Sequence, residues 1–454
     1  MNKTFLFIPI AFTAILVVSC KNAKDASKDA ILLQDVTLID GNGGSPQQHR
    51  DILLQGDTIA AIGEGLDTTG IKVVNLSGKT VMPALISDHV HVGTLKGTAN
   101  KSGFYTRENI LAQLDKYQDY GVLNIMVMGS DRPLIFEKGI RDSSVTGKLP
   151  GARLHSAGYG FGVPAGAPPI EFAMDYVYRP ETPEQVSSQM DSLMRVKPEF
   201  VKIWVDDFRG KYKKMQPGIY KTIIDEAHKR SLRVAAHAYY LSDARQLVAD
   251  GVDVIGHSIR DSIIDDALVQ QIKAKNIAYI PTLSLDEFAY IYARNPEWIN
   301  DPFFKSSLEP GVYEMITSEK YQNDLRSSPA YAKNVKAFET ALKNLKKLYD
   351  AGVLIALGTD SGAMPLRAQG FSEHLELELM VQAGLTPLQS ITVATKNAAR
   401  VLKIDTSFGT IEKGKIADLL ILDANPVSDI RNTRKIFAVY KSGKQVSKGP
   451  LNKQ

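Results

Sequence analysis

This sequence is notable first for what it lacks. Its 454 residues include one cysteine, Cys20, so no disulfide bond can form within the chain. No basic block is long enough to suggest a nucleic-acid footprint, and the net charge is only +4. After Val18 no apolar run is long enough to span a membrane. These absences argue against a disulfide scaffold, a nucleic-acid partner and membrane spans beyond the leader.

The first 19 residues are predicted to be a signal peptide. Lys3 supplies a positive start, and residues 5–18 form an apolar run of about the usual length for a signal core. The run ends in V-V-S-C at 17–20, which resembles a bacterial lipobox whose cysteine is lipidated. We therefore expect residues 20–30 to be a lipidated tether and the protein to be exported. The expected location is the periplasmic face of the outer membrane, anchored through Cys20; an ordinary secretory leader is the alternative.

Short strands separated by turns are predicted at both ends of the chain. Residues 31–39 and 51–62 alternate in this way near the start, and Ala417–Asp423 and Ile436–Tyr440 do so near the end. The few N-terminal strands cannot form a closed unit alone. We therefore predict one small β domain built from both ends of the chain, residues 31–82 and 403–448.

The middle of the chain, residues 83–402, alternates predicted strands with predicted helices. Strict βα alternation over this length is typical of a (β/α)8 barrel, so the predicted fold class is α/β with a distorted TIM barrel. One strand ends in His89 and His91, and seven others follow: Val122–Met128, Arg153–Gly158, Phe200–Asp206, Arg233–Ala238, Val252–His257, Ala278–Leu283 and Val353–Thr359. Residues 284–330 interrupt the alternation and hold eight aromatic residues, which indicates either a lid or an insertion packed on the barrel.

Metal-ligand residue types end five of these strands. His89 and His91 are spaced i, i+2, which puts both imidazoles on one face of a strand. The other four strands carry Lys202, His237, His257 and Asp360, in that order. In a barrel of this type the chemistry lies at the carboxyl ends of the strands, so these six side chains are predicted to meet.

Strand parity agrees with this prediction. If Lys202 points into the barrel, Val201, Ile203 and Val205 point outward, where helices would cover them. The same argument for Asp360 leaves Ile355 and Leu357 outward.

The sequence resembles the amidohydrolase superfamily, and within it the imidazolonepropionase-like and prolidase-like branch. The resemblance extends from about Ile31 to Gln445 and rests on several short segments. They are H-V-H at 89–91, V-K-I at 201–203, A-H-A at 236–238, I-G-H at 255–257, G-T-D-S-G at 358–362, the run 386–402 and G-T-I-E-K-G-K-I-A-D-L at 409–419. Two positions depart from the family pattern, since Ala84 replaces a glycine and Ser87 replaces an aspartate.

The resemblance implies a distorted (β/α)8 barrel with a small composite β-sandwich formed by residues 31–82 and 403–448. It also implies a role for each of the six residues. His89, His91 and Asp360 would hold one divalent ion, and His237 and His257 would hold a second. Lys202 would bridge the two ions as a carbamate, because a carbamate is an anion with two oxygens whereas lysine is a cation. A metal-bridging hydroxide would attack the scissile carbonyl, and Asp360 would pass its proton to the leaving nitrogen. Zinc is the expected metal, and manganese, cobalt or iron suit the same ligands.

The implied activity is hydrolysis of a C–N bond in an amide or peptide, with an Xaa-Pro dipeptide or an N-acyl amino acid as the expected substrate. Two alternatives are a mononuclear deaminase or cyclic-amide hydrolase, and a binding lipoprotein with an inactive barrel. Lys202 argues against a one-metal site, and the intact ligand set argues against an inactive barrel. The expected partners are a small molecule or short peptide, with a homo-oligomer left open.

Three further residues carry weaker predictions. Tyr240 follows His237 by three and is predicted either to contact a substrate carboxylate or to pack. Arg260 could bind an acidic group or form a salt bridge at the rim. His374 is predicted to lie on an exposed helix start with a structural role.

Overall fold

The structure, a computed structural model, describes residues 30–452. The predicted signal peptide, Cys20 and nearly all of the predicted tether lie outside these residues. The strands are β1 Ala30–Leu38, β2 Gln47–Gln55, β3 Thr58–Gly63, β4 Lys72–Asn75, β5 Thr80–Pro83, β6 Leu85–Val90, β7 Leu95–Lys96, β8 Ala99–Asn100, β9 Val122–Val127, β10 Arg153–Ser156, β11 Val201–Val205, β12 Val234–Ala238, β13 Val254–Gly256, β14 Ala278–Ile280, β15 Leu419–Leu422, β16 Ile436–Lys441 and β17 Lys444–Ser447.

Helices fill most of the intervals between the central strands. Those in the described chain are Arg107–Asp119, Pro133–Glu137, Ile140–Val145, Pro183–Met194, Pro217–Lys229, Leu241–Asp250, Asp266–Ala274, Leu283–Phe288, Pro302–Lys305, Val312–Thr317, Glu319–Ser327, Tyr331–Asp350, Phe371–Gln382, Pro387–Thr392 and Ala398–Leu402. Thr386 closes a capping box with Gln389, because each side chain bonds the other's backbone N–H. None of the helices in residues 30–452 combines the length and apolarity needed to cross a membrane.

One eight-stranded sheet combines strands from both ends of the described chain. Its order is β17-β16-β15-β5-β1-β2-β3, and β4 pairs in parallel with β1. β15 lies antiparallel to β5, with Leu420 opposite Met82. Because β5 precedes the helical middle of the chain and β15 follows it, that middle is inserted between neighbouring strands. The two termini therefore share a sheet, and the sandwich form of this domain stays a prediction.

The central parallel strands form two ladders, which do not join into one continuous closed sheet. Their orders are β10-β9-β6 and β11-β12-β13-β14. Phe161 connects them, since its N–H donates to the Lys202 carbonyl and its own carbonyl accepts from the Trp204 N–H. This connection brings the third and fourth strands of the predicted barrel side by side.

The predicted eighth strand, Val353–Thr359, is not a strand in the structure. It makes an isolated parallel bridge between Ile355 and Tyr279. On its other side, the N–H groups of Thr359 and Asp360 both donate to the carbonyl of His89. Because two successive donors share one acceptor, the regular alternation of a ladder is lost there. The segment still occupies the eighth position, between β14 and β6.

The buried side chains confirm the predicted parity of the fourth and eighth positions. Val201, Ile203 and Val205 belong to the core between the strands and the covering helices, together with Ile355 and Leu357. The inward-facing core of the ring lies on the other side and includes Phe200 and Ala356. Lys202 and Asp360 therefore share the inward side, above this inner core.

The interval 284–330 is built of short helices rather than an open loop. Its aromatic residues mostly pack, since Tyr290, Tyr292, Phe303 and Phe304 are buried and the Trp298 ring lies 4.7 Å from that of Phe304. The segment therefore rests on the barrel as a packed layer.

Glu287 on this layer holds a buried carboxyl group with a pH-dependent effect on stability. Burial and the nearby Glu378 raise the pKa of Glu287 to about 8, and Arg434 opposes the shift. Stability from this raised pKa is complete below about pH 4.5 and is lost as pH rises through about 8. We expect Glu287→Gln to match the wild-type Tm near about pH 5 and to exceed it by roughly 2–5 °C at about pH 8.

Thermal unfolding at a series of pH values measures this difference. Glu314→Gln, at an exposed position on helix Val312–Thr317, is the matched control and should leave the Tm profile unchanged. A difference in Tm between Glu287→Gln and wild type that stays constant with pH would contradict a raised pKa of Glu287.

Candidate metal centre

The six residues predicted as metal ligands meet at the carboxyl ends of the central strands. All are buried, and the most accessible of them, His237, is only 8% exposed. His89 lies near the end of β6, Lys202 lies within β11 and His237 lies within β12. His91, His257 and Asp360 follow the ends of their strand positions. The structure therefore brings together the whole predicted set.

His89, His91 and Asp360 form the tighter part of the cluster. The Asp360 Oδ1 atom lies 2.9 Å from His91 Nε2 and 3.4 Å from His89 Nε2. The three donor atoms lie within 4.8 Å of one another. Two imidazole nitrogens and a carboxylate oxygen facing one point are a donor set that divalent transition metals bind.

Lys202, His257 and His237 continue the cluster from His89. The Lys202 Nζ atom lies 3.4 Å from His89 Nε2. The ring centres of His89 and His257 are 4.5 Å apart, and those of His257 and His237 are 4.2 Å apart. These three side chains extend the donor set to a second position beside the first.

The electrostatics of the cluster suit metal binding. Burial lowers the pKa of His89, His237 and His257, which keeps their imidazoles neutral, as metal ligands must be. Burial also lowers the pKa of Lys202 to about 7, so a charged ammonium is disfavoured there. Burial would raise the pKa of Asp360, but the adjacent Arg367 guanidinium and His91 hold it well below its usual range.

Three side chains orient His91, His257 and His237 by contacting one ring nitrogen of each. Ser130 Oγ lies 2.5 Å from His91 Nδ1, and Thr282 Oγ1 lies 2.8 Å from His257 Nδ1. Asp206 Oδ2 lies 3.0 Å from His237 Nε2. Each contact uses one ring nitrogen and leaves the other for a metal, the usual arrangement around bound ions.

Sequence reasoning missed these three residues. Asp206 ends the predicted fourth strand, so the strand-end criterion could have identified it. Ser130 and Thr282 carry no spacing signal, because they meet their histidines only through the fold.

The backbone is strained at two of the ligands and at one of their partners. His257, Asp360 and Thr282 have φ angles of 74°, 57° and 51°, in the left-handed region that non-glycine residues rarely adopt. Such conformations persist only where surrounding contacts enforce them, and they concentrate at functional sites. At Asp360 the constraint is visible, since its N–H donates to the His89 carbonyl.

Glu373 ties the first and eighth strand positions together beneath the cluster. Its Oε1 atom accepts hydrogen bonds from Thr359 Oγ1 at 2.6 Å, Ser361 Oγ at 2.9 Å and Ser87 Oγ at 3.2 Å. Thr359 and Ser361 flank Asp360, and Ser87 lies two residues before His89. A fully buried carboxylate therefore sets the distance between two ligand-bearing segments.

We expect Glu373→Ala to weaken metal binding by about 10–100-fold, because three buried hydroxyls would lose their shared acceptor. Competition with a chelating dye measures the affinity. Glu378→Gln on the same helix pairs with Arg434 instead and serves as the control. Equal metal affinities in the two variants would rule out this positioning role.

A cavity of about 350 Å³ opens beside the cluster, and His91, His237 and Asp360 form part of its wall. Its remaining lining consists of an apolar part and a charged part. The apolar part includes Pro168, Phe172, Met174, Trp204 and Phe208, and the charged part consists of Asp206, Arg209, Arg260, Asp286 and Arg367. Leu285 and Ala289 also line it, so the packed layer of residues 284–330 contributes to the cavity.

Two weaker predictions concern residues near this cavity. Tyr240 does not belong to its lining, because its hydroxyl donates to Asp207 Oδ1 at 2.9 Å, and Tyr239 lines the cavity instead. A substrate contact of Tyr240 stays a prediction. Arg260 does line the cavity and pairs with Asp286 at 2.7 Å within the wall.

His374 lies near the start of helix Phe371–Gln382, as predicted, but the prediction that it is exposed is wrong. Its side chain is completely buried, and Nε2 lies 2.8 Å from the Tyr120 carbonyl. The acidic neighbours Glu373 and Glu376 suggested a solvated helix face, but they are buried as well. The T-P-E-Q segment at 182–185 also predicts a capping box at Thr182, but none forms, because Gln185 accepts from the Glu181 N–H instead.

Comparison with known proteins identifies the family. The model of the amidohydrolase family matches residues 80–446, so the chain belongs to this family. Membership supports the predicted enzyme class, a hydrolase acting on carbon–nitrogen bonds, and a TIM-barrel-type α/β fold. The family is metal-dependent, in agreement with the group formed by His89, His91 and Asp360.

Curated relatives match over short segments. An imidazolonepropionase from Geobacillus sp. (strain WCH70) is 35% identical over 89 residues, which cover 18% of this chain and 20% of the relative. A 5-methylthioadenosine/S-adenosylhomocysteine deaminase from Bacillus cytotoxicus is 28% identical over 141 residues, 29% of this chain and 32% of the relative. The chain thus matches about one fifth to one third of these relatives' lengths.

A solved structure matches over nearly the whole chain. A Xaa-Pro dipeptidase with methionine bound in its active site superposes with a TM-score of 0.71 and 24% identity, covering 92% of this chain and 99% of that one. At this identity the likeness establishes the fold alone.

Proposed function

We propose that this protein is a metal-dependent hydrolase of an amide or peptide bond, acting on an Xaa-Pro dipeptide or an N-acyl amino acid. The observation that carries the proposal is the convergence of all six ligand-type side chains in one buried cluster, of which His91, His237 and Asp360 line an open cavity. A substrate in this cavity would meet His91, His237 and Asp360 directly.

The residues divide into two ion-binding groups. His89, His91 and Asp360 would hold one divalent ion, His237 and His257 the other, and Lys202, carboxylated on Nζ, would join them. Zinc suits the nitrogen and oxygen donors. Bound ions supply a water of lowered pKa as nucleophile and polarise the scissile carbonyl.

The chain's own residues supply orientation and proton transfer. Asp360 Oδ1 faces the histidines, and Oδ2 faces Arg367 on the cavity side. The carboxylate is thereby positioned to take a proton from the attacking water and to deliver it to the leaving nitrogen. Ser130, Thr282 and Asp206 keep the histidine rings oriented throughout.

The alternative is a mononuclear deaminase or cyclic-amide hydrolase, favoured by the segments shared with a deaminase and an imidazolonepropionase. A one-metal site would need only His89, His91 and Asp360 from the first group. It would leave Lys202 without a role 3.4 Å from His89. A binding lipoprotein without activity is the remaining alternative.

Metal content per chain, measured on protein purified with bicarbonate, separates these functions when combined with a substrate panel. About two ions with hydrolysis of N-acyl amino acids or Xaa-Pro dipeptides supports the proposal. If the protein held one ion and either released ammonia or opened a cyclic amide, the mononuclear deaminase or cyclic-amide hydrolase would replace the proposed function. If the protein held no ion and turned over no substrate, the inactive binding lipoprotein would be the supported function.

We also propose that the mature protein is a lipoprotein anchored through Cys20 at the periplasmic face of the outer membrane. The proposal rests on the apolar leader and the V-V-S-C motif at 17–20. The mass of the N-terminal peptide of membrane-purified protein tests it, because a lipidated Cys20 must begin the chain.

A further inference from the structure

The main apolar part of the cavity lining and Arg367 lie at opposite positions of the barrel, while Asp206 and Arg209 follow the fourth strand beside the apolar part. Trp204 and Phe208 follow from the fourth strand, and Pro168 and Phe172 lie in the connection between the third and fourth. Arg367 follows the eighth position, next to Asp360. In a ring of eight strands the fourth and eighth positions face each other across the barrel. The apolar wall therefore faces Arg367, with the candidate metal centre between them.

The apolar wall adjoins the second group of ligands. The Phe208 ring stacks on His237 with 5.9 Å between ring centres, and the Trp204 ring lies 5.3 Å from Lys202 Nζ. Trp204 packs in its own apolar cluster with Ala167, Met174 and Val177. This wall is thus a preformed surface for an apolar group.

Arg367 is the cation best placed to bind a substrate anion. Arg260 is buried, pairs with Asp286 through Nε and donates to the Ser258 carbonyl through Nη1, and Arg209 lies on the fourth-strand side with its guanidinium over the Tyr239 ring. Arg367 contacts Asp360 through Nη1 alone, and a guanidinium has five N–H donors. Its free side can receive a carboxylate in a bidentate manner.

Asp360 determines which part of the substrate faces Arg367. Since this carboxylate delivers a proton to the leaving nitrogen, the leaving amine must lie beside it. A carboxylate on that amine then lies within reach of Arg367. The acyl part extends across the barrel toward Trp204 and Phe208.

The charges of the lining argue against a free amino group on the acyl part. Within residues 30–452, the carboxylates that line the cavity are Asp206, Asp286 and Asp360, and each already pairs with a cation or histidine. The α-ammonium of a dipeptide would lie against the apolar wall without a counter-ion, at a desolvation cost.

We infer that the substrates are N-acyl amino acids with a bulky apolar acyl group, the acyl group on the Trp204–Phe208 wall and the carboxylate on Arg367, and that free dipeptides are disfavoured. This inference rests on the proposed function and chooses between its two substrate classes. Hydrolysis adds water across the C–N bond and yields a free apolar acid and an amino acid.

Kinetics on matched substrates test the choice. N-Phenylacetyl-L-proline and the dipeptide Phe-Pro differ by the ammonium group and the one carbon that carries it. We expect kcat/KM to be at least about tenfold higher for the first. Faster turnover of Phe-Pro would overturn the inference while the proposed function stands. If the protein hydrolysed neither compound and no other N-acyl amino acid or Xaa-Pro dipeptide, the proposed function itself would be wrong.

Binding can be followed without turnover, because the chain has two tryptophans, Trp204 and Trp298. In Trp298→Phe the fluorescence reports on the cavity wall alone. We expect N-phenylacetyl-L-proline to change this signal saturably in chelator-treated protein, and its amide to bind about tenfold more weakly. Adding Phe208→Ala should weaken the binding of N-phenylacetyl-L-proline about tenfold. Phe437→Ala, at an exposed position on β16, should leave that binding unchanged. Equal affinities for the acid and its amide, or an unchanged affinity in Phe208→Ala, would contradict the inferred orientation of the substrate.

Discussion

Lys202→Ala is expected to lose bound metal and to lower kcat/KM by about 10²–10³-fold or more. Lys202 lies between the two groups of histidines, with Nζ 3.4 Å from His89 Nε2. Without a bridging anion, two closely spaced cations would repel each other. Metal analysis of the purified variant and steady-state kinetics measure the two effects.

A second buried lysine provides the control. Lys441 is 7% exposed and donates to the carbonyls of Leu149 and Gly151, in the composite sheet region. Lys441→Ala should lower stability but keep the metal content and the rate. Acetate should partly rescue Lys202→Ala, because it offers the same pair of oxygens as a carbamate. Unchanged metal content in Lys202→Ala would refute the bridge and favour the one-metal alternative.

Asp360→Asn is expected to lower kcat by about 10²–10⁴-fold with little change in KM. The amide keeps an oxygen toward His89 and His91 but cannot accept the proton of the attacking water. Its loss of charge also frees Arg367, so substrate carboxylates should bind at least as well as before. Kinetics of the metal-loaded variant separate these effects.

Asp243→Asn is the matched control for Asp360→Asn. Asp243 forms an ion pair with Lys214 at 2.7 Å on helix Leu241–Asp250, outside the cavity lining. Its replacement should leave kcat within about threefold of wild type. A similar fall in kcat for both variants would mean that the loss at Asp360 is a general effect of removing a paired carboxylate.

Local patterns were sufficient to predict which six side chains form the cluster. A strand has a side-chain period of two, and parallel strands of a barrel end at the same edge. The identity of the residue at each strand end therefore already specifies what meets there, as His237 and His257 illustrate. The same alternation predicted the outward positions of Val201 and Ile203 correctly.

The predictions failed where distant segments decide the environment. His374 is buried because Tyr120 and Thr433, from remote parts of the chain, bond both of its ring nitrogens. The eighth segment is irregular because two of its N–H groups share the His89 carbonyl. Neither contact leaves a trace in the local hydrophobic pattern.

The sequence by itself determined the class of chemistry, since it specifies the six ligand types and the order of strands that carry them. The tertiary structure alone decided how the site is supported and what it can admit. Glu373 joins segments 286 residues apart through Ser87, and Trp204 and Arg367 line one cavity only because the fold brings the fourth and eighth strand positions around it. The physical reason is that ligation depends on residue type at a periodic position, whereas selectivity depends on distances between side chains that the chain connects only through its fold.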